Sequence, residues 1–493
     1  MSNSAKFNFI LLSVLVFVIL NLQPATGQEN NSLYFMDGIP QSNQLNPATQ
    51  PKCNFFLGIP GISSLELNAG ESMVGVSDVL TYYPPLGKWV NPAFNAETQQ
   101  AFLDKLGPSN YVFSDVRNDL LSLGFRIRGT YLSFFTSEKV DVKGFIPKDM
   151  FKLMFYGNSN ANWESQSFDF SPLSLNATWY REYGFGVSQE ISNRFYFGIK
   201  AKFLFGKANI HTESSNTGFF DTDSAVWKTR AQVNVYSSIP NLNVYTSSDN
   251  NVDSLTFTEL KDASDIANLL LIKKNRGFAL DMGMVFKPVK MVSISASILD
   301  LGYIRWANNI HNLSANGSYD FKGVNFDFAN SDSSDVGGAL LDTLKSKYTT
   351  GNANDPYTTF LTAKLYAGVH VQLLKGIGVG FLTRSQIVDK KWESQYTFSL
   401  NLNAGNTLNT TFSYTIANHE YDILGFGLAM KLWPLPLQWH IMCETIPMYY
   451  SGSYDGVPIP SYLKRVNFRT GLNITIGYKR NKKIFKDKPL VED

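Results

Sequence analysis

Strict alternation of bulky apolar residues with polar or small ones limits this chain to a few folds. In "RFYFGIKAKFLFG", Phe195, Phe197, Ile199, Ala201, Phe203 and Phe205 fall on one face, with Arg194, Gly198, Lys200 and Lys202 on the other. A period of two belongs to a β-strand, whose successive side chains point to opposite sides. The same pattern returns in "AVWKTRAQVNVY", "KLYAGVHVQLL", "QYTFSLNLNAG", "TLNTTFSYTIA" and "FRTGLNITIGY". Gly405-Asn406 between two of these runs is a short-turn signal and predicts a hairpin. Further strands are expected over 54–69, 120–128, 130–137, 173–180, 182–190, 276–287, 290–299, 376–388, 422–432 and 438–450.

A soluble β-sandwich also alternates. Here the apolar faces carry Phe, Leu and Tyr through whole runs, and the polar faces carry Lys, Arg, Asn, Gln and Gly, as a lipid-facing wall around a wet or plugged lumen requires. Composition agrees. Charged residues are 17%, against roughly 25% in soluble domains, and aromatics reach 14%. No segment after the N-terminal one has the apolar length of a membrane helix. The expected fold is all-β, a transmembrane antiparallel up-and-down β-barrel of about 14 strands, with N-terminal and loop segments partly filling or capping the lumen.

The N-terminus places the chain in the envelope. Lys6 precedes an apolar run from Phe9 to Leu22, and Ala25 and Gly27 stand where signal peptidase cuts, so 1–27 reads as a signal peptide. The rival, a single membrane span, is opposed by Pro24 and by the lack of a basic stop-transfer cluster. Residues 28–53 are expected as an N-terminal turn or plug segment, and 54–478 as the barrel, with non-strand insertions at 78–118, 257–275 and 330–348. Short helices are expected over 96–106 and 145–158. After Tyr478 a basic tail, 479–493, reads as periplasmic, solvated or in contact with anionic headgroups or a partner. Cys53 and Cys443 form neither a disulfide scaffold nor a metal site; unpaired thiols are preferred to a bridge.

No catalytic, metal or cofactor constellation stands out. The histidines, His211, His311, His370, His419 and His440, are scattered singly, and "GIGVG" at 376–380 lies inside a strand rather than at a strand-to-helix turn. The chain is therefore expected to be no enzyme, and its net charge of +2 gives no reason to expect nucleic acid. Arg126, Arg128, Lys200, Lys202, Lys228 and Arg230 are expected on inward faces of strands near in sequence, a candidate basic lumen wall. The alternative is an internal salt-bridge lattice with plug carboxylates such as Asp104, Asp115 and Asp119. In "VSISASILDLGYIRW" the alternation shifts phase near Asp300 and Gly302; a bulge or strand end there is expected to expose Asp300 and set Trp306 at the membrane interface.

Asn46-Pro47-Ala48, soon after the leader and just before the first strand, resembles the same turn in the outer-membrane long-chain fatty-acid transporter superfamily (FadL/TodX-like), related to the PorV-type secretion-associated barrels. "YFMDGIPQSNQLNPATQP" and "SILDLGYIRW" look closer to a Bacteroidota barrel family known only as domain of unknown function family 5723. Where the transporter branch has a Gly-rich stretch before the turn, this chain has "LYFMDGIPQSN". The resemblance implies an outer-membrane barrel with its N-terminus entering the lumen, for passage or binding of hydrophobic or amphipathic small molecules. The alternative it implies is a non-transporting barrel that holds an envelope protein partner. Outer-membrane lipid is the expected surrounding.

Overall fold

The computed structural model describes residues 31–478 apart from 73–80, 84–87, 91–98, 157–166, 214–217, 224–225, 247–251, 259–261, 263–273, 322–348, 389–390, 406, 418–419, 433, 447–449, 455–456 and 461–463. The expected signal peptide, the expected 330–348 insertion and the basic tail lie outside the described residues, as does most of 257–275.

Fourteen antiparallel strands form the wall. β1 is in two pieces, Cys53–Gly58 and Ser64–Glu71; β2 is Ser109–Ile127, β3 Thr130–Pro147, β4 Ser174–Ser192, β5 Phe195–Thr212, β6 Asn275–Val289 and β7 Val292–Trp306. β8 is Lys364–Leu374, β9 Ile377–Val388, β10 Lys391–Ala404, β11 Leu408–Ala417, β12 Glu420–Leu432, β13 Leu437–Ile446 and β14 Arg465–Tyr478. Each pairs with its sequence neighbours, and β14 pairs both β13 (Leu437↔Ile474) and β1 (Cys53↔Tyr478, Leu65↔Thr470). The sheet therefore closes on itself and leaves no edge in the wall.

The two ends differ. Turns at Arg128-Gly129, Asn193-Arg194, Lys290-Met291 and Lys375-Gly376 are two residues long, and the first and last strands begin and finish at this same end. The opposite end carries most of the long connections. In outer-membrane barrels short turns face the periplasm and long loops the exterior. At the long-loop end, α1 (Gln99–Lys105) and α2 (Lys148–Tyr156) meet through Phe102 against Phe151 and Phe155. Both helices match the expected short segments.

Several strands differ from expectation in extent. The expected 173–180 and 182–190 are one strand, β4, because Arg181 continues the ladder opposite Glu138. β2 starts at Ser109, so the expected insertion at 78–118 ends earlier. "AVWKTRAQVNVY" is not a wall strand. Of the wall strands Val226–Ser238 joins the end of β5 alone (Val235↔Thr212). Beyond it the strand pairs with Gly218–Asp223 on one side and with Asn312–Phe321 on the other, which pairs in turn with Thr349–Ala353, a sheet standing beyond the wall. Alternation marks a strand and does not say which neighbour it takes.

Outward and inward faces divide as the alternation dictates. On β5, Phe197, Ile199 and Phe203 are exposed on the wall's outer surface, whereas Lys200 and Lys202 are buried inside. No helix among the described residues is long and apolar enough to cross a membrane. Both cysteines are free. They meet β14 at Tyr478 and Phe468, ten residues apart along that strand. That separation is roughly 30 Å, far beyond the Cα distance a disulfide spans.

Candidate functional site: the plugged lumen

The segment before β1 lies inside the barrel. Two short 3-10 turns, Asn31–Phe35 and Pro40–Gln44, shape it, the second opened by Pro40, whose fixed φ suits a first helical position. None of residues 31–52 joins the sheet. Instead, polar side chains tie the segment to strands around the whole circumference. At its upper part, Asn31 donates to Gln395 and Thr397 of β10, and the Ser32 N–H donates to Glu444 of β13 at 2.8 Å. Lower down, Gln41 exchanges hydrogen bonds with Asn473 of β14, and Gln44 donates to Asp119 of β2 at 2.7 Å. Lys200 of β5 donates to the Asn43 carbonyl, Ser297 of β7 to the Leu45 carbonyl, and Gln438 of β13 to the Gly38 carbonyl. Leu33, Tyr34, Met36, Ile39 and Leu45 supply an apolar centre that packs on Leu299, Tyr366, Leu382 and Met442 of the wall. Each fully buried aliphatic side chain of this kind contributes about 1.5–3 kcal/mol.

Asn46-Pro47-Ala48 sits where plug and wall come closest. The Asn46 side-chain oxygen accepts the Ala48 N–H at 2.9 Å, an Asx turn stiffened by Pro47. Its amide nitrogen donates to the Tyr34 hydroxyl and to the Met284 and Ala296 carbonyls of β6 and β7. Beneath the turn, Gly198 of β5 and Gly283 of β6 face each other across the ladder. A Cβ on Gly198 would lie 2.5 Å from the Ala48 nitrogen and nearer still to Pro47; one on Gly283 would lie 2.9 Å from Pro47 Cδ. The glycine pair is a seat for the turn, because only a residue without a side chain admits another backbone so closely.

Toward the long-loop end the lumen carries a layer of buried charge. Arg117 of β2 bonds Asp119 at 2.8 Å and lies 3.3 Å from Glu182 of β4. Lys139 of β3 lies between Glu182 and Asp300 of β7, at 3.2 and 3.7 Å, and Lys202 between Asp281 of β6 and Asp300, at 2.6 and 2.7 Å. On β14, Arg469 pairs with Glu66 of β1 at 3.1 Å and also donates to Gln44 of the plug. Charges withdrawn from water need such partners, since an unpaired one costs several kcal/mol. Over this layer lies a cavity of about 100 Å³. Gln44 and Leu45 of the plug and the charged groups bound it on one side; Val140, Leu299, Phe360 and Leu361 give it an apolar part.

The six expected basic-wall residues separate. Lys200 and Lys202 are in the lumen, the first holding the plug and the second in the ion lattice. Arg126 stands lower, donating to Gln50 and the Pro51 carbonyl where the plug joins β1. Arg128 is exposed in the β2–β3 turn, with a positive φ of 55°. Lys228 and Arg230 belong to the strand beyond the wall, in backbone register with Asp320 and Ser318, because that strand leaves the barrel. What forms is a salt-bridge lattice, as in the alternative, but its carboxylates come from the wall and not from the plug: Asp119 of β2 is a member, Asp115 of β2 lines the cavity, and Asp104 lies on α1 against Gln100.

The bulge in β7 is present, but its consequence is the reverse of the expected one. The ladder with β6 slips between Leu280 and Met282, and Asp300 takes a left-handed φ of 58°. Its N–H donates to Asp281, and its carboxylate turns inward onto Lys202. The one-residue slip moves Leu301 and Tyr303 to the outer face and Trp306 to the inner one, where it is 0% exposed and donates to Thr359. Gly302 lies against β6, where a Cβ would meet Ala279. Arg117, Lys139, Glu182 and Asp281, the core of the lattice, were not singled out by sequence. Their signal was a charge on an inward phase, which becomes a site only once the register is known.

No curated protein matches this chain. Among solved structures, the Ralstonia pickettii toluene transporter TbuX is similar with a TM-score of 0.41 at 8% identity, covering 89% of this chain and 94% of that one. A Pseudomonas aeruginosa FadL homologue is similar with a TM-score of 0.41 at 10% identity, covering 92% and 99%. A family model, described as a family of unknown function (DUF5723), matches residues 47–443. That match begins within the Asn-Pro-Ala turn and runs to β13, so the chain belongs to DUF5723, and it does so as a closed, plugged β-barrel.

Proposed function

We propose that this protein is an outer-membrane barrel that binds and passes amphipathic small molecules, with the N-terminal segment as its stopper. The observation that carries the reading is how the stopper is held. Residues 31–52 contribute nothing to the wall's ladder, so the segment can shift without opening the sheet. The cavity beside it supports an amphipathic ligand, since polar groups of the ion lattice meet Val140, Leu299, Phe360 and Leu361 there. At about 100 Å³ the cavity admits only part of a molecule; whole small-molecule sites run to roughly 300 Å³ or more. Passage therefore requires the plug to move. The reading includes no catalytic step, no metal and no cofactor.

A locked plug tests this. Ser32 Oγ and Ser413 Oγ are 2.8 Å apart, so Ser32→Cys with Ser413→Cys, in a chain whose Cys53 and Cys443 are changed to Ser, places two thiols for a bridge. In liposomes the reduced protein should take up a fluorescent long-chain carboxylate, and the oxidised one should not. Equal uptake in both states sinks the gating, and uptake in neither sinks passage. The second reading, a barrel that holds an envelope protein, is favoured by the extra sheet of Val226–Ser238, Asn312–Phe321 and Thr349–Ala353 beyond the wall. It requires stable co-purification of one partner that is lost when this sheet is removed.

A further inference from the structure

Four consecutive hairpins at the short-turn end repeat one chemistry. In each, an outward apolar column ends in a large exposed side chain and a cation follows or precedes it in the turn: Ile127 with Arg128, Ile191 with Arg194, Val289 and Met291 with Lys290, Leu374 with Lys375. All four cations are exposed. The hairpins are those of β2–β3, β4–β5, β6–β7 and β8–β9, so the cations form an arc along one side of the barrel. Acid is scarce there. Among the described residues this end carries Glu190 and Asp37, and Asp37 is paired with Lys52 at 2.7 Å.

We propose that this arc is a binding surface for anionic phospholipid headgroups of the leaflet that surrounds the short-turn end. The apolar side chains complete the lipid-facing columns and fix the membrane boundary at the turns. A cation within one to three residues of that boundary then stands at the depth of the lipid phosphates, where it gains from the anionic surface. A protein partner is the less favoured occupant, because each cation is coupled to a side chain that continues the acyl-facing surface. The arc shares no residue with the lumen, so it stands or falls apart from the gating reading.

The test uses the full-length protein in phosphatidylcholine nanodiscs with and without phosphatidylglycerol, counting retained lipids by native mass spectrometry after mild delipidation. The wild-type chain should keep phosphatidylglycerol in preference to phosphatidylcholine, and the preference should vanish in high salt. The variant Arg128→Asn, Arg194→Gln, Lys290→Gln, Lys375→Gln should lose it, by up to about fivefold per cation removed. Changing Arg128, Arg194 and the lysines among one another, charge kept, should leave it intact and controls for folding. Equal retention of the two lipids by the wild type overturns the proposal. So does a preference that survives in the charge-removed variant, or an arc needed only for capture of an acidic protein.

Discussion

Gly198→Ala perturbs the plug and almost nothing else. The added Cβ would lie 2.5 Å from the Ala48 nitrogen and nearer still to the Pro47 carbonyl, whereas ordinary contact begins at 3.4 Å, so the Asn-Pro-Ala turn must retreat by more than roughly 0.9 Å. Overpacking of this kind costs about 1–3 kcal/mol. The retreat also stretches the bond from Ser188 Oγ to the Ala48 carbonyl, now 3.0 Å, and that from Asn43 to the Pro47 carbonyl, also 3.0 Å. Each contributes about 0.5–1.5 kcal/mol net. Plug docking should weaken by about 2–6 kcal/mol in all, equivalent to roughly 30- to 20,000-fold in its undocking equilibrium. Hydrogen exchange reads this directly: amides of 31–48 should lose that much protection, while β10 to β13 keep theirs. Gly107→Ala, which meets only atoms at 3.6 Å and beyond, is the matched control. Unchanged exchange over 31–48 in Gly198→Ala would refute the seat, and equal loss throughout the wall would show the glycine supporting the sheet instead.

The ion lattice and the cysteines give two further expectations. Asp300→Ala removes the partner shared by Lys139 and Lys202 and leaves a non-glycine residue at a φ of 58° without its side-chain bond, so urea unfolding should lose about 3–5 kcal/mol. Asp300→Asn, which tolerates that backbone, should lose less; equal losses would place the cost in the charge rather than in the backbone. Alkylation of the denatured, unreduced protein should add two labels, on Cys53 and Cys443, and a mass with none would mean a bridge.

Which side of each strand faces lipid could be read from alternation, because exclusion of water from one face and filling of the other impose the period directly. Phe197, Ile199 and Phe203 against Lys200 and Lys202 illustrate it. Partnership was less legible. Val226–Ser238 alternates as a wall strand does, yet its ladder partners come from the residues beyond the barrel. Trp306 was misplaced for a related reason: the phase shift was visible, but its size fixes the face of every later residue, and one residue of slip sends the indole inward. At the candidate site, Asn46-Pro47-Ala48 was legible as a turn from Asn and Pro chemistry alone. Its seat was not, since Gly198 and Gly283 are remote in sequence and meet only through the β5–β6 register.

The closure of β1 onto β14 has a kinetic meaning. Gln41 finds Asn473 and Gln44 finds Arg469 across more than 400 residues of chain, and both wall residues belong to the last strand. Neither tie can form until nearly the whole polypeptide has emerged and paired. Contacts so distant in sequence make for slow folding, because the loop entropy is spent before the contact rewards it. The plug segment, synthesised before every wall strand, is thus among the last to settle. During biogenesis the cylinder should pass through an unstoppered form, its inward lysines and carboxylates still wet, and only the final strand converts it into a sealed one.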